Sequence, residues 1–526
     1  MAVNARRRWR KVCGAGALLA ALGATGCATN PVTGDAELAL ISEAREIAIG
    51  RQQYAPAQQM QGGAYVIDPA LQAYVAGVGA RLAAVSDRRL PYEFVVLNSD
   101  VPNAWALPGG KIAVNRGLLT ELQSEAELAA VLGHEITHAA ARHGAQAMER
   151  GMIVQGALLA TALAVGESEY SDYAPLAIGT AALGAQLVKQ KYGRDAERES
   201  DRYGMVYMQR AGYDPSAAVD LQQTFVRLSE GRATHWLDGL FASHPPSLER
   251  ASNNRAFAAE LGSAGDYGRA RYQAAIATLK RRAPSYAALE EGRAALRNGD
   301  TRAALEAAKR AIEIEPTEAR FHALVGDAHN AIGQGRKALL AYDRAIDLEP
   351  GYFAHYQARG FALLSLDRLR EAEQDFARAN RLLPTAEGSN ALGRIALSEQ
   401  RRDDARRFFA AAAASNSNAG NAARLSLVRL DFDDRPGALI AATWRIDSNG
   451  GLILDLRNRT QIAAAGIVAE ARVRQTDGRT ARRQLPLKGT LGPGQSISMR
   501  TGLTVPAAAL REDIAVAVVS AQPAEG

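Results

Sequence analysis

His134-Glu135-Ile136-Thr137-His138 is the segment of this chain whose residue types and spacing point most directly to chemistry. The surrounding pattern predicts a helix over 124–143, with Ser124 as its cap and Glu127 three residues on. Four residues is just over one helical turn, so both imidazoles leave one face and can share one zinc ion. Glu135 stands beside them, placed to take a proton from metal-activated water. The chain has only eight histidines, which makes a chance HExxH rare. His143, nine residues after His134, falls off that face and reads as structural.

Zinc in a catalytic site takes three protein ligands and keeps one position open. No histidine follows at the short metzincin spacing, and the two cysteines, Cys13 and Cys27, exclude a cysteine-rich site. The best third ligand lies in Glu197-Arg198-Glu199-Ser200-Asp201. Glu197 and Asp201 are four apart on one helical face, so one can bind metal while the other accepts the N–H of a ligand histidine. Glu199 points elsewhere on that helix. Spacing alone leaves a solvated charged face as the alternative.

Several elements must position these residues. Helices are expected over 30–61, over 69–85 with Asp68 as cap, and over 195–210 and 215–230. Residues 92–98 are β-rich. Pro108-Gly109-Gly110 reads as a turn leading into a strand over 111–115. That strand, taken as Gly109, Gly110, Lys111, Ile112, Ala113 and Val114, is expected to add an extended substrate to its sheet through backbone hydrogen bonds.

HExxH followed about 60 residues on by ExESD, and then by Ser243-His244-Pro245, resembles metallopeptidase family forty-eight, the HtpX/Oma/Ste-type gluzincins. Asn103-Ala104-Trp105-Ala106-Leu107-Pro108-Gly109-Gly110 is similar to a hallmark of that family. Asn30-Pro31-Val32-Thr33-Gly34 and Ile41-Ser42-Glu43 resemble its periplasmic lipoprotein members. The resemblance covers about residues 28–260. It implies His134, His138 and Glu197 as ligands of one zinc per chain, Glu135 as general base, and Asp201 as orienting a ligand histidine. It further implies that His244 and Arg250 lie near the metal, and that His244 can occupy the open position and hold the enzyme shut.

Residues 1–26 read as a lipoprotein signal peptide. Basic residues come first, then a short apolar run, then Ala24-Thr25-Gly26 before Cys27, which would carry the lipid; Ala24 stands where leucine is usual. An ordinary secretory signal is the alternative. The expected location is the periplasmic side of the outer membrane, with the soluble periplasm as the alternative. Two apolar stretches, 152–165 and 174–188, are too short to span a bilayer and are candidates for touching one. Residues 285–420 repeat. Pro316, Pro350 and Pro384, then Gly292, Gly326 and Gly360, and two sets of alanines all recur at 34. That period matches tetratricopeptide repeats, α-helical hairpins that bury themselves by stacking. They suit a protein partner, or serve as a spacer. Short β-like runs after 425, separated by Gly-rich turns, predict a β-sandwich.

The expected architecture is therefore multidomain. Residues 27–60 form a linker and helix, and 61–283 a mainly α zincin-type metallopeptidase domain with a small β-sheet. Residues 284–420 form an α-solenoid of tetratricopeptide repeats, and 425–526 a β-sandwich. Composition (47% hydrophobic, 22% charged, 526 residues) excludes wholesale disorder. Five of the positive residues behind the net charge of +6 lie in the leader, so no nucleic-acid partner is expected. The function expected is a zinc endopeptidase of the bacterial envelope acting on unfolded or misassembled polypeptides. The alternative is a repeat-based chaperone or assembly scaffold with a normally latched peptidase.

Overall fold

The computed structural model describes residues 27–165, 187–188, 191–231, 244, 247–262 and 264–524. The signal segment 1–26, most of 166–190 and the stretch 232–246 apart from His244 lie outside them, so the expectations resting there stay as stated. Among the described residues no helix is long and apolar enough to cross a membrane. The chain divides into two compact units, 1–383 and 384–526.

The first unit opens with a correction. Instead of one helix over 30–61, β1 (Cys27–Thr29) and β2 (Ala36–Leu38) pair antiparallel. Asn30 turns the chain by accepting hydrogen bonds from the backbone N–H groups of Val32 and Thr33, and Gly34 adopts φ 80°. Helix α1 (Glu43–Met60) then starts at a Ser42 cap. Helix α2 (Pro69–Ala83) is capped by Asp68, which accepts from Leu71 N–H at 3.0 Å.

Strands β3 (Glu93–Leu97), β4 (Ala104–Leu107) and β5 (Lys111–Asn115) form a sheet of order β3-β5-β4, with β5 parallel to β3 and antiparallel to β4. Alternation sends Leu97, Trp105, Leu107 and Ala113 to one face, against Ile49, Tyr54 and Ala57 of α1. Val96, Ala104, Ala106, Ile112 and Val114 join the other core, with Leu71 and Val75 of α2 and Leu128, Leu132 and Ile136 of the HExxH helix.

After the short α3 (Arg116–Glu121), the helix expected over 124–143 is cut in two. Helix α4 (Glu125–Ala140) ends before Arg142, which sits at φ 62°, and α5 (His143–Val165) leaves in a new direction. The left-handed Arg142 is held by a buried network: its guanidinium meets Glu37, Glu46 and Glu149 and the backbone carbonyl of Ile41. Helices α6 (Arg194–Arg210), α7 (Ala217–Gly231), α8 (Leu248–Leu261) and α9 (Arg269–Ala275) complete this part.

The expected border at 283/284 falls inside α10 (Ala277–Arg297), which carries Pro284 without a break. With α11 (Thr301–Ile314) it begins a row of helical hairpins, continued by α12 (Ala319–Ala331) with α13 (Gly335–Leu348) and α14 (Phe353–Ser365) with α15 (Leu369–Leu382). The 34-residue period has a steric cause. A Cβ on Gly326 would meet the Tyr342 ring at 2.5 Å, and one on Gly360 the Phe376 ring at 3.1 Å, while Ala304, Ala338 and Ala372 are fully buried between helices. The hairpins are tied to the part that precedes them: Asn98 donates its amide to Glu318, Arg320 bonds the carbonyls of Asn98 and Gly62, and Gln59 donates to the carbonyl of Gly351.

The second unit begins with the hairpin α16 (Ala386–Ser398) and α17 (Arg402–Ala413), then α18 (Asn418–Asp434) and the short α19 (Pro436–Leu439). Helix α18 runs through the expected start of the β region at 425. Two three-stranded antiparallel sheets follow. One orders β10 (Ser496–Thr504), β7 (Gly451–Asn458) and β6 (Ile440–Ile446); the other orders β11 (Ile514–Pro523), β8 (Ala464–Arg474) and β9 (Thr480–Pro486). Leu454 and Leu456 of the first sheet share a core with Ile467, Ala469 and Val518 of the second, as in a sandwich.

Candidate metal centre

Helices α4 and α6 bring the chemistry together because they touch at two glycines. A Cβ on Gly133 would stand 2.9 Å from the Gly204 carbonyl oxygen, and one on Gly204 3.0 Å from the His134 nitrogen. This approach sets the 197–201 turn of α6 against the histidines of α4. His134 Nε2 lies 3.0 Å from His138 Nε2 and 3.5 Å from Glu197 Oε2, and His138 Nε2 lies 3.4 Å from Glu197 Oε1. His244, ahead of α8 in the sequence, has Nδ1 2.9 Å from Glu197 Oε1 and 3.2 Å from His134 Nε2. His134, His138, Glu197 and His244 thus form a group able to hold a metal ion, with one donor atom from each lying within 4.8 Å of every other. Two donors about 2.1 Å from one tetrahedral zinc stand roughly 3.4 Å apart, close to the separations found here. The residues present fit zinc in number, type and spacing.

The carboxylates around the group are tied down. Asp201 Oδ1 lies 3.0 Å from His134 Nδ1, and both Asp201 oxygens accept from Arg250, at 2.7 and 2.8 Å. Arg250 also stands 2.9 Å from Glu197 Oε2. Burial resists ionisation of Asp201, yet Arg250 and His134 outweigh it and hold the carboxyl below its usual range. Burial likewise opposes the charge on Glu197, but His244, His134 and His138 drive it well below that range. His134 has burial against its charge and the two carboxylates in favour, which raise it to about 10. His138 goes the other way: burial holds it neutral, well below the ordinary imidazole value. A cation here would replace the proton on His134, the exchange that couples metal binding to proton release.

Glu135 is buried, and burial raises its carboxyl above the usual value. Its Oε2 has no hydrogen-bond partner among the described residues, while Oε1 lies 3.5 Å from His244 Nε2. An uncompensated buried oxygen beside a metal-binding group is what a base for bound water requires. A small cavity of about 30 Å³ adjoins it, lined by Val131, Met205, Leu221, Phe225 and other residues.

Residues 69–258 match Peptidase family M48. Over that stretch the chain is similar to an M48 peptidase domain. The relatives fit this domain: 33% identity over 204 residues to the beta-barrel assembly-enhancing protease of Yersinia pestis, covering 38% of this chain and 41% of that one. The Escherichia coli K12 protein of the same name is 31% identical over 205 residues, with the same coverage. The mitochondrial metalloendopeptidase OMA1 of Arabidopsis thaliana is 32% identical over 162 residues, covering 31% and 30%. The chain thus spans about two-fifths of the length of the assembly-enhancing proteases it matches. Among solved structures, a thermophilic TPR protein of Thermus thermophilus matches at 20% identity and a TM-score of 0.26, over 40% of this chain and 98% of that one. The repeats themselves are read from the helix pairing and steric period above.

Within residues 69–258 the fold gathers His134, Glu135, His138, Glu197, Asp201, His244 and Arg250 at one place. It does not leave 109–114 free for substrate. Strand β5 is central and hydrogen-bonded on both edges, and Lys111–Asn115 are all buried. Its apolar run reflects burial on two faces, which the sequence pattern does not distinguish from a free edge. Two residues near the metal group had no signal in the sequence. The Tyr192 ring stacks on His138 at 4.1 Å. His143 meets the far side of His138, because the Arg142 break carries it off the helical path that the spacing assumed.

Proposed function

We propose that the chain is a zinc-dependent endopeptidase of the bacterial envelope, acting on unfolded or misassembled polypeptides, and held on the periplasmic side of the outer membrane by lipid on Cys27. The observation that carries the peptidase reading is the convergence of His134, His138 and Glu197 with the unpartnered Glu135 oxygen beside them. Zinc at this place supplies Lewis-acid polarisation of the scissile carbonyl and lowers the pKa of water toward about 7. Glu135 takes the proton from the attacking water through Oε2 and passes it to the leaving amine. Asp201, fixed by Arg250, receives the Nδ1–H of His134 and keeps its Nε2 turned to the metal.

Substrate recognition shifts from β5 to β4. The outer edge of β3 is closed, since the Gln72 side chain brackets Phe94 O and Val96 N–H and the Tyr65 N–H bonds Val96 O. No strand pairs with the outer edge of β4 among the described residues. Ala104–Leu107 are themselves buried, so an extended polypeptide would pair there, beside α4, only once that edge is uncovered. The names of the assembly-enhancing relatives support a role in envelope protein assembly, with the repeats engaging a protein partner.

The position of His244 favours a second layer to this reading. Its contact with Glu197 at 2.9 Å and His134 at 3.2 Å makes it a fourth donor, at the position zinc would otherwise keep for water. The resting enzyme is then latched. The test is cleavage of casein by purified wild type, His244→Ala and Glu135→Gln. The expected order is His244→Ala above wild type, with Glu135→Gln inactive. A His244→Ala variant slower than wild type makes His244 a participant in the reaction, and cleavage by Glu135→Gln removes the proposed mechanism.

A further inference from the structure

We propose that His143 and Glu199 form a proton-ordered relay behind His138, fixing its imidazole as an Nε2 donor to the metal. The inference rests on the zinc reading above and adds two positioning residues to it.

The asymmetry between the two histidines of the motif leads to it. His134 has a carboxylate, Asp201, behind its Nδ1. His138 has none there. Its Nδ1 instead lies 2.9 Å from His143 Nδ1, with His143 buried and its ring 4.9 Å away in an edge-on arrangement. Proton bookkeeping then leaves one solution. His138 turns Nε2 toward Glu197 and His134, and a metal donor nitrogen carries no hydrogen, so the proton of neutral His138 sits on Nδ1. His143 Nδ1 must accept it. The His143 proton therefore sits on Nε2, which lies 3.5 Å from Glu199 Oε1. That oxygen is buried and has no hydrogen-bond partner among the described residues, so a small closure of the 3.5 Å gap would let it accept this proton. Ser200 Oγ, 3.5 Å from His143 Nδ1, supplies a weaker second contact. The chain runs from His138 Nδ1–H to His143 Nδ1 and from His143 Nε2–H toward the Glu199 carboxyl oxygen.

The backbone is built for this contact. His143 opens α5 only because Arg142 takes φ 62° and is clamped by Glu37, Glu46 and Glu149. Glu199 lies between Glu197 and Asp201 on α6, so one helical turn serves the metal, His134 and His143 at once.

The test is zinc affinity by competition with a chromophoric chelator, together with the thermal midpoint of the chelator-stripped protein. The variants are His143→Asn, His143→Leu and Glu199→Gln in residues 27–526. An asparagine amide oxygen can stand where Nδ1 accepts, whereas leucine fills the space and accepts nothing. The relay requires His143→Leu to lose roughly 10–100-fold in zinc affinity, as loss of outer-shell partners typically does. His143→Asn should recover most of that loss, and Glu199→Gln should lose less than His143→Leu. The stripped His143→Leu and His143→Asn proteins should melt together. Wild-type affinity in His143→Leu overturns the proposal, as does an equal loss in leucine and asparagine variants, which would mark packing alone. If wild type itself holds no zinc, the underlying metal reading falls and the relay with it.

Discussion

Asp201 shows how a residue outside the metal group governs it. Its carboxylate accepts from both Arg250 and His134 while buried, so removing it takes two hydrogen bonds from a buried guanidinium and frees an imidazole. Asp201→Ala is expected to weaken zinc binding roughly 10–100-fold, measured by chelator competition. Much of this centre could be read from spacing. His134 and His138 are four apart on a helix, as are Glu197 and Asp201, and the geometry follows from the helical repeat. His143 could not be read that way. A single left-handed residue, Arg142, breaks the register, and its stabilising partners Glu37, Glu46 and Glu149 lie far apart in sequence. His244 was legible only through family resemblance, because a loop histidine has no periodicity to argue from.

Among the elements, α4 depends on its first turn. The Glu125 side chain, nearly fully buried, receives hydrogen bonds from Tyr74 of α2 at 2.7 Å, Tyr213 at 2.9 Å and Arg271 of α9 at 3.1 Å. It also places negative charge at the positive end of α4. Burial opposes its ionisation, yet Arg271, Tyr74 and Tyr213 outweigh that and lower its pKa when folded. A lowered carboxyl stabilises the fold above its unfolded pKa, and that stability is lost as pH falls through the folded value. Glu125→Gln should therefore cost about 2 kcal/mol at pH 7. The difference from wild type should shrink as pH drops below the ordinary glutamate value, by urea unfolding at both pH values. The helices and most strands were legible from caps and periodicity: Asp68 and Ser124 cap as expected. Strand β9, Thr-Ala-Arg-Arg-Gln-Leu-Pro, was not, because it is mostly exposed and its pairing with β8 rather than its own alternation makes it a strand. The β1–β2 hairpin was hidden by apolar spacing that also fits a helix.

For the whole molecule, the catalytic part and the first three hairpins act as one unit. Asn98–Glu318, Arg320 with the Gly62 and Asn98 carbonyls, and Arg282 with Asp68 and Glu315 join segments more than 200 residues apart as well as near neighbours. A fragment of residues 27–383 is expected to fold and bind zinc, whereas one cut at 283 severs α10 and these bonds and should melt lower, as read by thermal unfolding. The sequence period located the repeats but not this union, since the joining residues lie on faces that the repeat pattern leaves unconstrained. Whether one zinc is held by His134, His138 and Glu197 can be read from metal content. Zinc per chain should be measured after dialysis on residues 27–526 and on Glu135→Gln and Glu197→Ala. One zinc is expected in wild type and in Glu135→Gln, with little in Glu197→Ala. A wild type without zinc, or a Glu197→Ala variant that keeps it undiminished, would contradict the account.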